Sequence, residues 1–400
     1  MTKLVFSDIS YINNKQKEML NDLFKYVCNN NKYYKQQILK LNVNTDEDIE
    51  FCKLPIITKQ DVKDNIDVFF SDSTEERYCE LTSGSTGVPL ACYKTKSERL
   101  TASLAMWKER RRIDSAVNSY NFFSLYGPGV SRVMGNFFDF EKNNMIKCFN
   151  RMMHYSPRWI QGPVTAIERY AKLIENNDVI YNSSTIKFIE FSGEYVDQEK
   201  RRYIEDVMKC KTTSYYGLKE TWCVAYECQY DKLHILDNLI YAEVFKTNFD
   251  DSDIGEIVIT SLYNRFMPFI RYNTKDLGKI KYESCSCGKT TPTIKLVEGR
   301  SGDIIKGEND VFGTLIFKRV LNSVILSGHD AIESFRAEQV ALNRFRLYIV
   351  KKQNYTEHTT KLLTGIIYKE LGKKVEVDIK FVELIPSLPS GKSKIFQCLI

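Results

Sequence analysis

Thr82-Ser83-Gly84-Ser85-Thr86-Gly87 gathers four hydroxyls and two glycines in one short run, between Leu81 and Val88-Pro89. Glycines let a main chain approach a ligand closely, and hydroxyls add donors beside the backbone N–H groups, so such a loop suits a phosphate. Composition alone also fits an ordinary Ser/Gly surface turn. The common nucleotide loops are excluded. Gly391-Lys392-Ser393 and Gly288-Lys289-Thr290 have Pro386 and Glu283 where a Walker loop needs its first glycine. Gly127 and Gly129 are followed by Arg132 where the third glycine of a dinucleotide fingerprint would stand.

Other stretches carry groups that handle nucleotides and metals. Tyr215-Tyr216-Gly217-Leu218-Lys219-Glu220 places two aromatic faces and a carboxylate around a glycine. An aromatic ring can stack on a base, and a carboxylate can hold Mg²⁺ through oxygen. Cys228, His234, Cys285 and Cys287 make up three thiols and an imidazole, a known tetrahedral zinc set, although the spacing is not finger-like. On these residues alone, free buried cysteines with a surface histidine weigh evenly against a metal.

The elements that position these groups follow from periodicity. Residues 11 to 40 read as a helical lead-in with Leu20, Leu23, Phe24 and Val27 on one face. Ser97 is expected to cap a helix to Arg112 with Leu100, Leu104 and Trp107 inward, and Asn121 to Leu125 to be a strand. Pro163 opens a helix, a strand from Thr185 to Phe191 runs into Ser192-Gly193-Glu194, and Asp197 caps the next helix before a strand from Lys211 to Tyr216. Alternation of this kind predicts an α/β fold with a largely parallel sheet covered by helices, and ligands gather beyond the carboxyl ends of its strands. Gly255 to Leu262, Phe269 to Tyr272, Gly278 to Tyr282 and Thr293 to Val297 predict a strand-rich, barrel-like part. The turn-rich run from Gly299 to Gly307 marks a boundary, giving a large domain over 1–299 and a small α+β domain over 300–400, with a helix from Thr359 to Leu371.

A chain of 400 residues with 57 basic and 51 acidic side chains carries a net charge of +6, too mild and too dispersed for a nucleic-acid surface. Arg110-Arg111-Arg112 and Arg201-Arg202 fall in helical patterns and read as solvated faces. No apolar run is long enough for a membrane span and no signal-peptide layout is present, so a cytoplasmic protein is expected. Eleven scattered cysteines read as reduced thiols rather than a disulfide framework.

In order along the chain, the hydroxyl-rich loop, Tyr216-Gly217-x-x-Glu220, Arg271-Tyr272-x-Thr274-x-Asp276-Leu277, Gly299-Arg300 and Gly391-Lys392 resemble the motifs of the adenylate-forming superfamily. Glu227-Cys228, Leu233-His234-Ile235, Gly255-Glu256-Ile257-Val258 and Cys285-Ser286-Cys287-Gly288 are similar to the phenylacetate-coenzyme A ligase family and the capsule-cluster proteins related to it. The resemblance implies an AMP-forming ligase that joins a carboxylic acid to a thiol, usually coenzyme A, through an acyl adenylate, with a small C-terminal domain that turns between half-reactions. It assigns ATP phosphates to Thr82 through Gly87, the nucleotide to Ser192, Gly193, Glu194, Tyr215, Tyr216 and Gly217, and Mg²⁺ to Glu220. The ribose goes to Asp276 and Arg300, and catalysis to Lys392, Glu220 and Arg271. It tips the Cys228, His234, Cys285 and Cys287 set toward structural zinc, and a homodimer is compatible with it. Tyr126, Tyr215 and Trp222 would suit an aromatic or bulky acyl group. Two competitors stand beside this reading: an adenylating enzyme with an amine, hydroxyl or carrier-protein acceptor, and a nucleotide-binding scaffold without turnover, suggested by Val88, Lys219 and Gly302.

Overall fold

The computed structural model describes residues 14–41, 53–82, 90–125, 142–245, 253–300, 305–306, 311–312, 317, 320–321, 323–324, 327–329, 331–372, 374–385 and 396–400. Compactness divides the chain into two units, Met1–Thr274 with Gly278–Leu296, and Lys275–Leu277 with Val297–Ile400.

The first unit begins with helices α1 (Asn14–Asn30), α2 (Lys32–Leu41), α3 (Lys59–Asp64) and α4 (Ile66–Phe69). Leu20, Leu23, Phe24 and Val27 are buried, as the helical spacing predicts. A hairpin of β1 (Arg77–Leu81) and β2 (Ala91–Thr95) leads into α5 (Lys96–Ile113). Strands β3 (Phe122–Ser124), β4 (Trp159–Gly162), β5 (Phe188–Phe191) and β6 (Lys211–Leu218) then pair in parallel in chain order, linked through α6 (Lys142–Tyr155), α7 (Val164–Glu175) and α8 (Gln198–Met208). Pro163, at φ −66°, sits at the N-cap of α7, and the Asp197 carboxylate accepts the Glu199 and Lys200 N–H groups to start α8. Helices α6 to α8 bury Phe149, Ile167 and Ile204 against one face of the sheet, with Ile160 and Ile189 beneath them. On the other face Phe122, Trp159 and Phe188 stack in a row, and Trp107 of α5 meets Trp159 edge-on.

Beyond β6 the chain continues antiparallel through β7 (Trp222–Glu227) and β8 (Leu233–Ile235), and the sheet closes its order with β12 (Thr293–Arg300), β11 (Tyr272–Lys281), β10 (Gly255–Ser261) and β9 (Ile240–Phe245). The expected α/β class is therefore observed, as one ten-stranded mixed sheet in which the strand-rich part is continuous with the parallel part. Of the two strands expected over Phe269 to Tyr272 and Gly278 to Tyr282, the first is not strand except at Tyr272, where the single strand β11 begins, and the second falls within β11 up to Lys281. The polar residues between them still satisfy the backbone through the ladder, which a hydrophobicity pattern does not register.

The helix after the first hairpin differs from expectation in both its cap and its buried face. Thr95 is the N-cap, in a reciprocal capping box with Glu98, two residues before Ser97. Leu100 and Leu104 are 58% and 60% exposed, while Ala102, Met106, Glu109 and Arg110 are buried. Tertiary partners for the charged residues reverse the face that apolar spacing alone selects.

In the second unit β13 (Ile305–Lys306) pairs with β14 (Val311–Phe312), and β15 (Ile332–Ala341), β16 (Arg344–Lys351), β17 (Glu376–Phe381) and β18 (Phe396–Cys398) form a sheet in the order β17-β16-β15-β18. Helix α9 (Glu357–Leu371) packs Leu363 and Ile367 into its core with Phe317, Phe345, Leu347 and Phe396. Among the described residues no helix is long and apolar enough to cross a membrane.

Candidate active site and a thiol-imidazole cluster

Thr82 closes the base of the hydroxyl-rich loop. Its N–H donates to the Leu90 carbonyl at 3.0 Å and its Oγ1 accepts the Leu90 N–H at 2.8 Å. Ser83, Gly84, Ser85, Thr86 and Gly87 lie outside the described residues, as do Tyr126, Val88, Gly302 and Lys392. The β1–β2 hairpin that carries this loop is tied to the β6–β7 hairpin at two points. Lys94 Nζ donates to the Lys219 carbonyl at 2.6 Å, and Trp222 Nε1 donates to Glu80 Oε2 at 2.6 Å.

Glu220 sits in the turn between β6 and β7 and is 6% exposed. The Tyr272 hydroxyl donates to its Oε1 at 2.7 Å; among the described residues no donor reaches Oε2, which leaves one carboxylate oxygen for a cation. Trp222 has φ +55°, and a Cβ on Gly217 would lie 2.1 Å from the Trp222 carbonyl oxygen, so this tight turn needs glycine at 217. Lys219, one of the residues that suggested a scaffold without turnover, is exposed and contributes its carbonyl.

The end of β5 lies beside these residues, since Phe191 is paired with Ser214. Ser192 donates its N–H to the Gly162 carbonyl at 3.1 Å, Gly193 takes φ +76°, and the Glu194 carboxylate accepts the Thr165 N–H at 3.0 Å and its hydroxyl at 2.9 Å. Tyr216 is buried, and Tyr215 lies parallel to Tyr226 with centroids 6.2 Å apart. Ser192-Gly193-Glu194 and Tyr215-Tyr216-Gly217 thus share the carboxyl end of the parallel strands, while Thr82 and Glu220 are joined through the two hairpins.

Beneath Tyr215 lies a buried polar group that sequence reasoning missed. Glu190, wholly buried in β5, accepts Arg110 Nε at 2.9 Å and Nη2 at 2.8 Å, Gln161 Nε2 at 2.7 Å and the Tyr226 hydroxyl at 2.5 Å. Burial, then the Glu190 charge, hold the Tyr226 phenol well above its ordinary range, so it remains a donor. Arg110 also lies over the Trp107 and Trp159 rings, each 4.9 Å away. Arg110 and Arg201, both expected on solvated faces, are buried: Arg201 pairs with Glu227 and, at 3.2 Å, with Asp231. A carboxylate within an apolar strand, such as Glu190 in Phe188-Ile189-Glu190-Phe191, is the signal that could have found this network.

Arg271 is buried with φ +50°; its guanidinium meets Glu243 at 3.2 Å through both Nε and Nη2 and donates to the Leu54 carbonyl at 2.6 Å. Asp276 lies within β11, and Arg300 ends β12.

Cys228, His234, Cys285 and Cys287, separated by more than fifty residues in the chain, converge so that one ligand atom from each lies within 4.8 Å of the others. Cys228 Sγ and Cys285 Sγ are 3.9 Å apart, and Cys287 Sγ is 3.4 Å from His234 Nε2. His234 Nδ1 faces the Thr291 carbonyl at 3.1 Å. A carbonyl can only accept, so Nδ1 carries the proton and Nε2 presents its lone pair to the sulfurs. Burial lowers the His234 pKa and favours that neutral ring. Lys289 ties the cluster to α5 through Glu109 at 2.5 Å.

The fold resembles that of solved acyl-CoA ligases. A solved structure of 2-hydroxyisobutyryl-CoA ligase in the postadenylation state, complexed with 2-HIB-AMP, matches with a TM-score of 0.75 at 14% identity, covering 98% of this chain and 90% of that one. Residues 312–397 match the family model for the CapK C-terminal domain. The chain is 22% identical over 398 residues to protein CapK of Staphylococcus aureus, across 95% of this chain and 87% of that protein. It is 25% identical over 395 residues to a phenylacetate-coenzyme A ligase of Pseudomonas putida, across 91% and 88%.

Proposed function

We propose that the protein is an AMP-forming carboxylate ligase that uses ATP to make an acyl adenylate and passes the acyl group to the thiol of coenzyme A. A carboxylate oxygen of the acid attacks the α-phosphorus, pyrophosphate leaves, and the thiolate then displaces AMP from the acyl carbon. The observation that carries this reading is the pair of ties, Lys94 to Lys219 and Trp222 to Glu80, that bring the base of the hydroxyl-rich loop alongside Glu220. The loop from Thr82 to Gly87 then holds phosphates, and Ser192, Gly193, Glu194, Tyr215, Tyr216 and Gly217 receive the nucleotide. Asp276 and Arg300 take the ribose. Arg271 acts as a buried brace between β11 and Glu243 rather than touching substrate. Glu220 Oε2 would coordinate Mg²⁺, whose charge offsets that of the phosphates. Lys392 supplies a point positive charge during adenylation. Tyr215 and Trp222 favour an aryl or other bulky acyl group.

The Cys228, His234, Cys285 and Cys287 set fits structural zinc. With Zn–S of about 2.3 Å and Zn–N of about 2.0–2.1 Å, a tetrahedron has S···S edges of roughly 3.8 Å and S···N edges of roughly 3.5 Å. The separations of 3.9 Å and 3.4 Å agree. Four protein donors leave no open position, so this ion would brace β7, β8 and the loop before β12 without entering the reaction.

ATP–pyrophosphate exchange over a panel of aryl and alkyl carboxylic acids tests the reading, with product masses after addition of coenzyme A, amines or a carrier protein identifying the acceptor. Exchange is expected with at least one acid, and Lys392→Ala is expected to lower it by on the order of 10². Silence of zinc-replete protein across the panel overturns the proposal.

A further inference from the structure

Three successive carbonyls around Glu220 are caught by side chains from other segments. The Lys219 carbonyl accepts Lys94 Nζ at 2.6 Å, that of Glu220 accepts Asn264 Nδ2 at 3.2 Å, and that of Thr221 accepts the Tyr263 hydroxyl at 3.1 Å. Turn carbonyls ordinarily face water, so holding all three with side chains marks a turn whose orientation is specified. Asn264 and Tyr263 are neutral donors. Lys94 differs from them in bringing a charge, and it comes from the hairpin that carries the hydroxyl-rich loop.

Lys94 is 1% exposed, its Nζ lies 4.0 Å from Glu80 Oε2, and it is 5.7 Å from the centroid of the Trp222 ring. An ammonium buried against a neutral carbonyl is costly, and a methionine would fill the space without desolvation. Burial pulls the Lys94 pKa down, and the carboxylates of Glu80, Glu220 and Glu98 oppose that pull. Glu80 and the Trp222 ring are thus the charged and aromatic neighbours that lie closest to the ammonium beside the Lys219 carbonyl.

We infer that Lys94 is a positioning residue for the cation site: by fixing the Lys219 carbonyl from the β1–β2 hairpin, it sets the direction in which Glu220 presents its second oxygen and couples that hairpin to the turn that carries the metal ligand. This rests on the assignment of Glu220 to Mg²⁺ in the ligase reading. Lys94 touches neither substrate nor cation; it acts through the Lys219–Glu220 backbone.

The test uses the full-length protein, a non-hydrolysable ATP analogue and Mn²⁺ as a spectroscopically visible stand-in for Mg²⁺. Lys94→Met is expected to weaken Mn²⁺ binding in the presence of the analogue by about tenfold, as loss of an outer support does at other metal sites. Binding of the analogue without metal should stay near the wild-type level, and Lys94→Arg, which keeps the charge and the donors, should restore most of the Mn²⁺ affinity. The Mg²⁺ concentration for half-maximal exchange should move with the Mn²⁺ affinity, while exchange at saturating Mg²⁺ changes less. If Lys94→Met does not fold, Lys94→Gln, which keeps a donor without the charge, takes its place in the same comparison. Mn²⁺ titrations of the neutral variant that superimpose on wild type overturn the inference, as does equal loss of nucleotide binding with and without metal. Wild type that binds Mn²⁺ with the analogue but exchanges with no acid removes the ligase reading and leaves the Lys94 comparison to be read by binding alone. Wild type that binds no Mn²⁺ with the analogue removes both.

Discussion

The turn that presents Glu220 follows β6, while Cys228, His234, Cys285 and Cys287 are drawn together from the end of β7, from β8 and from the loop before β12, and the two are held in different ways. The Glu220 turn is fastened by the protein itself, through Lys94, Asn264, Tyr263 and Tyr272. Hard cations exchange readily and keep part of their water, so a site for one must be shaped before the ion arrives. The thiol cluster is held by the Thr291 carbonyl on His234, by the Lys289–Glu109 pair and by backbone bonds of its own loops, from Cys228 to the Lys232 carbonyl and from Gly288 to the Cys285 carbonyl. Thiol sulfurs at 3.9 Å gain little from one another and are brought that close to best effect by a shared ion. On the proposed assignments, the first site would be shaped before its ion arrives and the second would be completed by its ion.

That contrast can be broken by experiment. Glu220→Gln removes the carboxylate charge where the supports remain, so ATP–pyrophosphate exchange is expected to fall by on the order of 10²–10³ with the thermal midpoint almost unchanged. A lowered midpoint of the same size as in the cysteine variant would erase the distinction. Cys285→Ser should do the reverse. Zinc measured by atomic emission is expected to drop from one per chain to a trace, and the midpoint should fall by several degrees, with the residual exchange following the folded fraction. Zinc content unaffected by the substitution would remove the metal from the account. Lys289→Met leaves buried Glu109 with Arg112, at 3.2 Å, in place of two cations, and should cost about 1–3 kcal/mol in denaturant unfolding while zinc is retained, sharpening the claim that α5 supports the cluster from outside.

Helix α5 shows where one-dimensional reading fails. Apolar spacing pointed Leu100 and Leu104 inward, but both face solvent, because the opposite side carries Glu98, Glu109 and Arg110 to partners far along the chain. Glu98 accepts the Arg265 and Phe266 N–H groups, Glu109 meets Lys289, and Arg110 meets Glu190. Charge on a helix ordinarily marks its wet face; these residues are buried because each brings a partner that sequence distance conceals. The helices with conventional amphipathic faces, α1 and α7, were legible for the complementary reason that their buried residues need only generic apolar neighbours.

The candidate site divides along the same line. The hydroxyl-rich loop, Tyr216-Gly217-x-x-Glu220 and the cysteine and histidine set were readable because their chemistry lies in residue identity and short spacing, and so was the alternation that produces a helix-covered parallel sheet. The sequence therefore determined by itself the α/β class, the order of the motifs and the donors available to cations. Only the tertiary structure decided that Lys94 and Glu80 join the loop hairpin to the Glu220 turn, that Glu190 anchors Arg110, Gln161 and Tyr226 below Tyr215, and that Arg271 is spent on Glu243. Each of these is a buried or part-buried polar contact between residues tens to hundreds of positions apart. Its stability depends on exclusion from water and on distance, two quantities that exist only once the chain has folded.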